Sequence, residues 1–348
     1  AVDKRGIVWI GTFGDGLLRF NPESETIIPY VNDPGDQTSL PSDEVYALHF
    51  DARGNLWIGT GAGLTAMQPA TDRMIHFTHD PDEPRSLPAG EVRSLASGSD
   101  LGLWVGTTGG LCRLDRVTGE FRRHAVHFEG DVPVPLSITA VLEAPDGIVW
   151  AGSEHRGVYR LDPTTGEVRD FLHDPSDPFS LSDNEVYRIM MDRTGVIWIV
   201  TSIGANRLDS KAKQFHHVGN QPGDPASLSH DCVWSIWEDR HGDVWAVTEA
   251  GLNILDTETG QVRRILSDPD NPYKPSYNSF IELFEDGDGR IWMGARDGAL
   301  NRYEPNAKVY TRFPADPTSR RYPNDDRVFS IAADADGHIW LGTMTGLE

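Results

Sequence analysis

At 348 residues, with 38% hydrophobic and 24% charged side chains, the chain has the balance of a globular protein and is too apolar to be disordered. Its formal charge of −22 repels phosphate backbones and anionic lipid surfaces, which excludes non-specific nucleic-acid and membrane-surface binding as its business. No run of about 18 apolar residues is present to cross a bilayer.

In chain order, Ala1-Val2-Asp3-Lys4-Arg5 lacks the apolar core of a signal peptide, and Val2-Asp3 matches the end of a first strand. Gly6 to Thr12 is the first of eight segments built around a tryptophan: Trp9, Trp57, Trp104, Trp150, Trp198, Trp245, Trp292 and Trp340. Their spacings of 48, 47, 46, 48, 47, 47 and 48 residues define a repeat, and a period in this range points to a propeller or a solenoid. The content of residues 43 to 90 decides between the two. Val45 to Phe50 reads as a strand, and Asp51-Ala52-Arg53-Gly54 as a turn with glycine at its permissive end. Asn55 to Thr60 is the tryptophan strand, Leu64 to Gln68 the third and Met74 to Thr78 the fourth, before the polar loop HDPDEPRSLPAGE. Four short strands without a helical period make a propeller blade.

The same order recurs to the end of the chain, where Val328 to Asp334 is another first strand and GHIWLGTMTGLE another tryptophan segment. The fold class is therefore all-β, a β-propeller of seven four-stranded blades, with eight blades as the alternative. Residues 1–337 form the propeller, and 338–348 start a further repeat or add a surplus strand. Seven blades close if Val328 to Asp334 completes the blade that Gly6 to Thr12 begins. The tryptophans are expected to pack between neighbouring blades. Ser39-Leu40, Ser86-Leu87, Ser180-Leu181 and Ser227-Leu228 are expected to anchor the long loops by burying the leucine.

Taken together, the unit V-x-x-I-x-x-D-x-x-G-x-(I/L)-W-I-G-T-x-x-G-L resembles the two-component regulator propeller repeat. It stands here as Val45 to Thr60 with Gly63-Leu64, Val186 to Thr201, Val233 to Thr248 with Gly251-Leu252, and Phe280 to Ala295. The accompanying loop reads HDPSDPFSLS at 173–182 and DPGDQTSLPS at 33–42. The resemblance implies a periplasmic or otherwise extracytoplasmic sensor domain of a hybrid histidine kinase or diguanylate-cyclase-type regulator. Such a domain is anchored to the inner membrane by other parts of the protein and works as a homodimer. The implied ligand is an oligosaccharide or similar small molecule, and the implied signal is a reorientation of whole domains.

Residues that break the repeat are the candidate site, because a scaffold role demands uniformity. After the Gly-Thr position most repeats carry small residues, yet one has Glu154-His155-Arg156 and another Arg296-Asp297; Phe13, Asp15 and Glu249 are milder departures. The second position of the innermost strand runs Tyr46, Arg93, Thr139, Tyr187, Trp234, Ile281, Phe329. Aromatic rings there can stack on a sugar, and arginines and carboxylates can hydrogen-bond its hydroxyls. The ligand-binding candidates are thus Glu154, His155, Arg156, Arg296, Asp297, Glu249, Tyr46, Arg93, Tyr187, Trp234 and Phe329. The competing reading is blade packing for the rings and solvated loop tips for the charges.

No cofactor, metal ligand set or catalytic residue is expected. Asp286-Gly-Asp288-Gly and Asp334-Ala-Asp336-Gly resemble half a calcium loop but lack its later ligands. Cys112 and Cys232 fall at different points of the repeat and are expected to be free thiols. No nucleophile elbow, phosphate loop or zinc motif appears, so the domain itself is not expected to be an enzyme. The alternatives are a protein-interaction scaffold and a carbohydrate-active hydrolase or lyase.

Overall fold

The computed structural model of the chain describes all residues except 22–23, 25, 101, 126–127, 130–131, 134–135, 210–213, 257–260, 269, 272, 299, 319–322, 335–336 and 348. The fold is the all-β propeller expected, and the described residues contain no helix. Seven inner strands, Val45–Phe50, Val92–Ser97, Ile138–Glu143, Val186–Met191, Val233–Glu238, Phe280–Glu285 and Val328–Ala333, each lead a blade. The first six blades are four-stranded antiparallel sheets in simple sequence order. Three strands, Val8–Gly11, Leu17–Asn21 and Thr26–Tyr30, form a sheet ahead of them, met by an isolated bridge from Val2 to Val8. The sequence lent Val328 to Asp334 to that sheet; in the structure Val328–Ala333 pairs instead with Ile339–Thr343, in its own hairpin.

The chain falls into two compact units, residues 1–173 with 184–189, and residues 174–183 with 190–348. Within each, the tryptophan strand explains the packing. Leu56–Thr60, Leu103–Thr107, Val149–Ser153, Ile197–Thr201, Val244–Thr248 and Ile291–Ala295 are buried along their whole length. They read as continuous apolar runs because both faces meet protein. Each apolar cluster joins one blade's tryptophan to the next blade: Trp57 and Leu64 with Val92, Leu103 and Val105; Trp104 with Ile138, Val149 and Ala151; Trp245 with Phe280, Ile291 and Met293.

Among the described residues, five of the turns before a tryptophan strand are tied to its indole. Asp239 Oδ1 accepts the N–H groups of His241 at 2.8 Å and Asp243 at 3.0 Å, while Oδ2 accepts the Trp245 indole N–H at 3.0 Å. Asp51, Asp192, Asp286 and Asp334 hold Trp57, Trp198, Trp292 and Trp340 in the same way, at 2.7 to 3.2 Å. The glycine closing the turn sits at φ +83° at Gly54 and +86° at Gly195, as its turn requires. In the half-calcium loop the charge is met by protein: Arg290 lies 2.7 Å from Asp286 and 2.8 Å from Asp288. In the second such turn, Ala335 and Asp336 lie outside the described residues.

The loop leucines Leu40, Leu87, Leu181 and Leu228 are fully buried, as expected. The serine before each closes the loop as well. Ser86 Oγ accepts the Asp80 N–H at 3.0 Å and donates to the Asp80 carbonyl at 2.9 Å, and Ser39 and Ser180 repeat the pattern. Both cysteines are free, Cys112 buried and Cys232 partly so.

Candidate functional site

Inner strand after inner strand carries a β-bulge at one place: the register slips between Val45 and Ala47, Val92 and Ser94, Ile138 and Ala140, Val233 and Ser235, Phe280 and Glu282, and Val328 and Ser330. The residue skipped is the second position of the strand. Tyr46, Arg93, Thr139, Trp234, Ile281 and Phe329 are therefore taken out of ladder pairing, and bulges re-aim side chains in this way beside binding sites. Rings at this position stay in reach of solvent: Tyr187 is 41%, Trp234 39% and Phe329 44% exposed.

The turns after the tryptophan strand come in two lengths. Two residues suffice between Thr60 and Gly63, Thr201 and Gly204, and Thr248 and Gly251. Three residues stand at the equivalent place between Thr12 and Gly16 and between Ser153 and Gly157, whose N–H and carbonyl groups still pair at 3.0 and 2.9 Å, and the turn between Ala295 and Leu300 is likewise longer. The longer turns are those bearing Phe13 and Asp15, Glu154-His155-Arg156, and Arg296-Asp297. Each is pinned by a glycine N–H to the loop entering the next blade: Gly16 to Asp43 at 3.0 Å, Gly157 to Asn184 at 2.8 Å, and Gly298 to Asp326 at 3.1 Å. An exposed arm on a fixed base suits recognition.

In the first unit, one cluster crosses three sheets. The exposed Phe13 ring meets Tyr46 edge-on at 5.8 Å, and the Arg93 guanidinium lies 5.1 Å over the Tyr46 ring. Arg93 is held by Glu91 at 2.6 Å, and the Tyr46 hydroxyl donates to Glu44 at 3.2 Å. Desolvation, then the Glu91 and Glu44 carboxylates, push the Tyr46 hydroxyl above its ordinary value, so it stays a donor at neutral pH. The hydrogen bonds Arg93 donates to Glu91 first, and the fields of Glu91 and Glu154 after them, raise Arg93. The cluster offers an open phenyl face, a hydroxyl, a guanidinium and carboxylates, the set that hydrogen-bonds and stacks on a polyhydroxylated ligand.

In the second unit Arg296 and Glu249 approach at 3.7 Å. Beside them is Cys232, whose thiol is raised by burial and then by Glu249. Among the described residues His155, Arg156 and Asp297 are exposed turn residues outside both clusters, and Tyr187, Trp234 and Phe329 keep their places on the inner strands. Sequence reading missed Glu44 and Glu91. Both sit two residues before the bulge, and acids at that spacing were the available signal. Among the described residues no group of three or more metal-ligating side chains lies together.

Three segments, residues 39–62, 180–202 and 322–345, match the two component regulator propeller family. In these three segments the chain is similar to two component regulator propeller repeats, carried on a β-propeller fold. Among curated proteins, histidine kinase P4 of Formosa agariphila is 34% identical over 58 residues, 17% of this chain and 4% of that protein. Among solved structures, PorZ, a surface component of the type IX secretion system of Porphyromonas gingivalis, aligns with all of this chain and 51% of its own at 15% identity and a TM-score of 0.63. A catalytically inactive virginiamycin B lyase from Staphylococcus aureus with quinupristin covers 87% of this chain and 92% of its own at 13% identity and a TM-score of 0.56. The extracellular domain of a putative one component system from B. thetaiotaomicron aligns with 98% of this chain and 57% of its own, at 16% identity and a TM-score of 0.44. The chain thus spans about half the length of PorZ and of that extracellular domain, and a small part of the kinase. At these identities the solved structures speak for the fold alone.

Proposed function

We propose that this chain is the extracytoplasmic ligand-sensing propeller of a membrane-bound signalling regulator. It binds an oligosaccharide or similar small ligand over the ends of its inner strands. The observation that carries the reading is the Phe13–Tyr46–Arg93 cluster, where bulged residues and a longer turn from neighbouring sheets converge. Blade scaffolding asks for none of these side chains, since Thr139 and Ile281 fill the same strand position elsewhere. The regulator repeats and the short match to a histidine kinase support the signalling half of the proposal.

The propeller acts by binding rather than by catalysis. Its blades are locked by buried indoles and turn carboxylates, so the signal passes through reorientation of whole domains in a homodimeric receptor. The acidic surface keeps nucleic acid away, and no helix among the described residues is long and apolar enough to cross a membrane.

A thermal-shift screen against an oligosaccharide panel tests the reading. A hit present at a hundred times its dissociation constant stabilises the fold by about 2.7 kcal/mol. The expected result is a raised Tm with the saccharide recovered intact on chromatography. Product formation abolished by Glu154→Gln makes the domain a hydrolase or lyase instead, and a panel without any shift removes the saccharide assignment.

A further inference from the structure

A basic pocket lies at the outer edge of the third-strand-to-fourth-strand hairpin Gly110–Leu114 and Phe121–His124, far in strand order from the inner-strand cluster. It is a cavity of about 420 Å³ with Arg85, Arg113, Arg122, His124, Phe121 and Pro163 among its walls. In the antiparallel register Arg113 and Arg122 stand directly opposite one another, where like charges weaken a sheet. Arg113 lies 5.5 Å over the Trp104 ring and is paired with Asp100.

Arg122 has lost its counterion to a neighbour. The next blade has the same pair, Arg160 opposite Arg169, and there Glu167 holds Arg169 at 2.9 Å. Glu120 occupies the matching place before Arg122, but Arg85 takes both its oxygens at 2.8 and 2.9 Å. The corresponding loop position before Ser180 is Phe179, so this diversion is peculiar to the Arg85 loop. Among the described residues, Arg122 has no ion pair. The other carboxylate in the wall, Asp115, is engaged by the N–H groups of Val117 at 2.8 Å and Thr118 at 3.2 Å. Two buried nitrogens of wall residues, Arg113 Nε and His124 Nε2, have no hydrogen-bond partner. Burial first, then the charges of Arg122 and Arg113, hold the His124 imidazole at about 4.

We infer that this pocket binds a small tetrahedral oxyanion, a phosphate or sulfate group, either free or as an ester on a small molecule. Arg122 is the principal donor and Arg113 the second. An anion bridging them turns a repulsive cross-strand pair into two charge-assisted hydrogen-bond sites.

The test is calorimetric titration of the whole chain with inorganic phosphate, inorganic sulfate and glucose 6-phosphate, against chloride at matched ionic strength. Arg122→Glu is expected to weaken binding at least tenfold, and in anion-free buffer its Tm equals or exceeds that of the unmodified chain because a like-charge pair has gone. Glu120→Gln, which removes a competing carboxylate, is expected to tighten binding severalfold. An ester that binds at least tenfold tighter than free phosphate identifies an ester site, and equal or weaker ester binding identifies a free-ion site. Equal affinity of the unmodified chain and Arg122→Glu for all three probes, no measurable binding included, overturns the inference.

Discussion

Asp239 is buried beneath an exposed turn and receives three N–H groups, two from the turn backbone and one from the buried Trp245 indole. Removing it leaves all three without a partner, at about 1–3 kcal/mol for each group that water cannot reach. The Trp245 indole is the one that water cannot reach, so Asp239→Ala is expected to lower stability by about 1–3 kcal/mol, read from the urea midpoint, with Asp239→Asn intermediate because an amide keeps one acceptor oxygen. The same contacts predict acid sensitivity. Burial alone would raise the carboxyls of Asp51, Asp286 and Asp334, but hydrogen bonds from the turn and the indole outweigh it and hold all three below their ordinary range. A depressed carboxyl stabilises the fold fully above its unfolded-state pKa, about 3.9, and loses that contribution as pH falls through the folded-state value. The urea midpoint should stay level from pH 7 to about 5 and drop below about 4. The double variant Asp286→Asn/Asp334→Asn should show a shallower drop. Both the tryptophans and the Asp-x-x-Gly turns were legible in the sequence. Their contact was not, because the carboxylate and indole meet only once the turn has folded.

Where the third repeat has Gly98 in place of the turn aspartate, the next blade supplies the missing group. Glu143, at the end of the following inner strand, accepts the Ser99 N–H at 2.8 Å and takes the Trp104 indole N–H. Glu238 and Glu285 reach back in the same way to the N–H groups of Arg193 at 2.9 Å and Arg240 at 3.1 Å. These staples escaped sequence reading because each repeat was read against itself, whereas the partner lies about 45 residues away in the next one. A double-mutant cycle measures the exchange. Glu143→Ala is expected to destabilise by about 1–3 kcal/mol for the orphaned indole. Gly98→Asp alone should also destabilise, since its Cβ would come within 3.1 Å of a Glu143 oxygen. Together the two should recover most of the loss, and a simple sum of the single effects would refute the exchange. The bulges were invisible for a related reason. The sequence shows that Tyr46 and Arg93 vary from the repeat, but a skipped pairing is a property of register against the partner strand. The longer turns were half legible: Glu154-His155-Arg156 stood out by composition, while the glycine that pins each arm looked like any other turn glycine.

For the molecule as a whole, the repeat period carried the fold. Eight evenly spaced tryptophans and four strands per period leave a propeller as the economical arrangement, and the seven inner strands match the count read from the sequence. What the period could not supply is the partner of the last inner strand, because hairpin closure with Ile339–Thr343 competes with donation elsewhere and is the more local contact. In the proposed reading, function lives in the departures from the period, on the inner-strand ends for the proposed ligand and on the outer edge for the inferred oxyanion. The two sites are separable by mutation. The most direct measurement is calorimetric titration of the purified chain with the saccharide that emerges from the thermal-shift panel, comparing Tyr46→Ala, Arg93→Ala and Arg122→Glu. The account predicts at least tenfold weaker binding for the first two, with Tm held within a few degrees, and an unchanged affinity for the third. A saccharide that binds Tyr46→Ala and Arg93→Ala as tightly as the unmodified chain would contradict it.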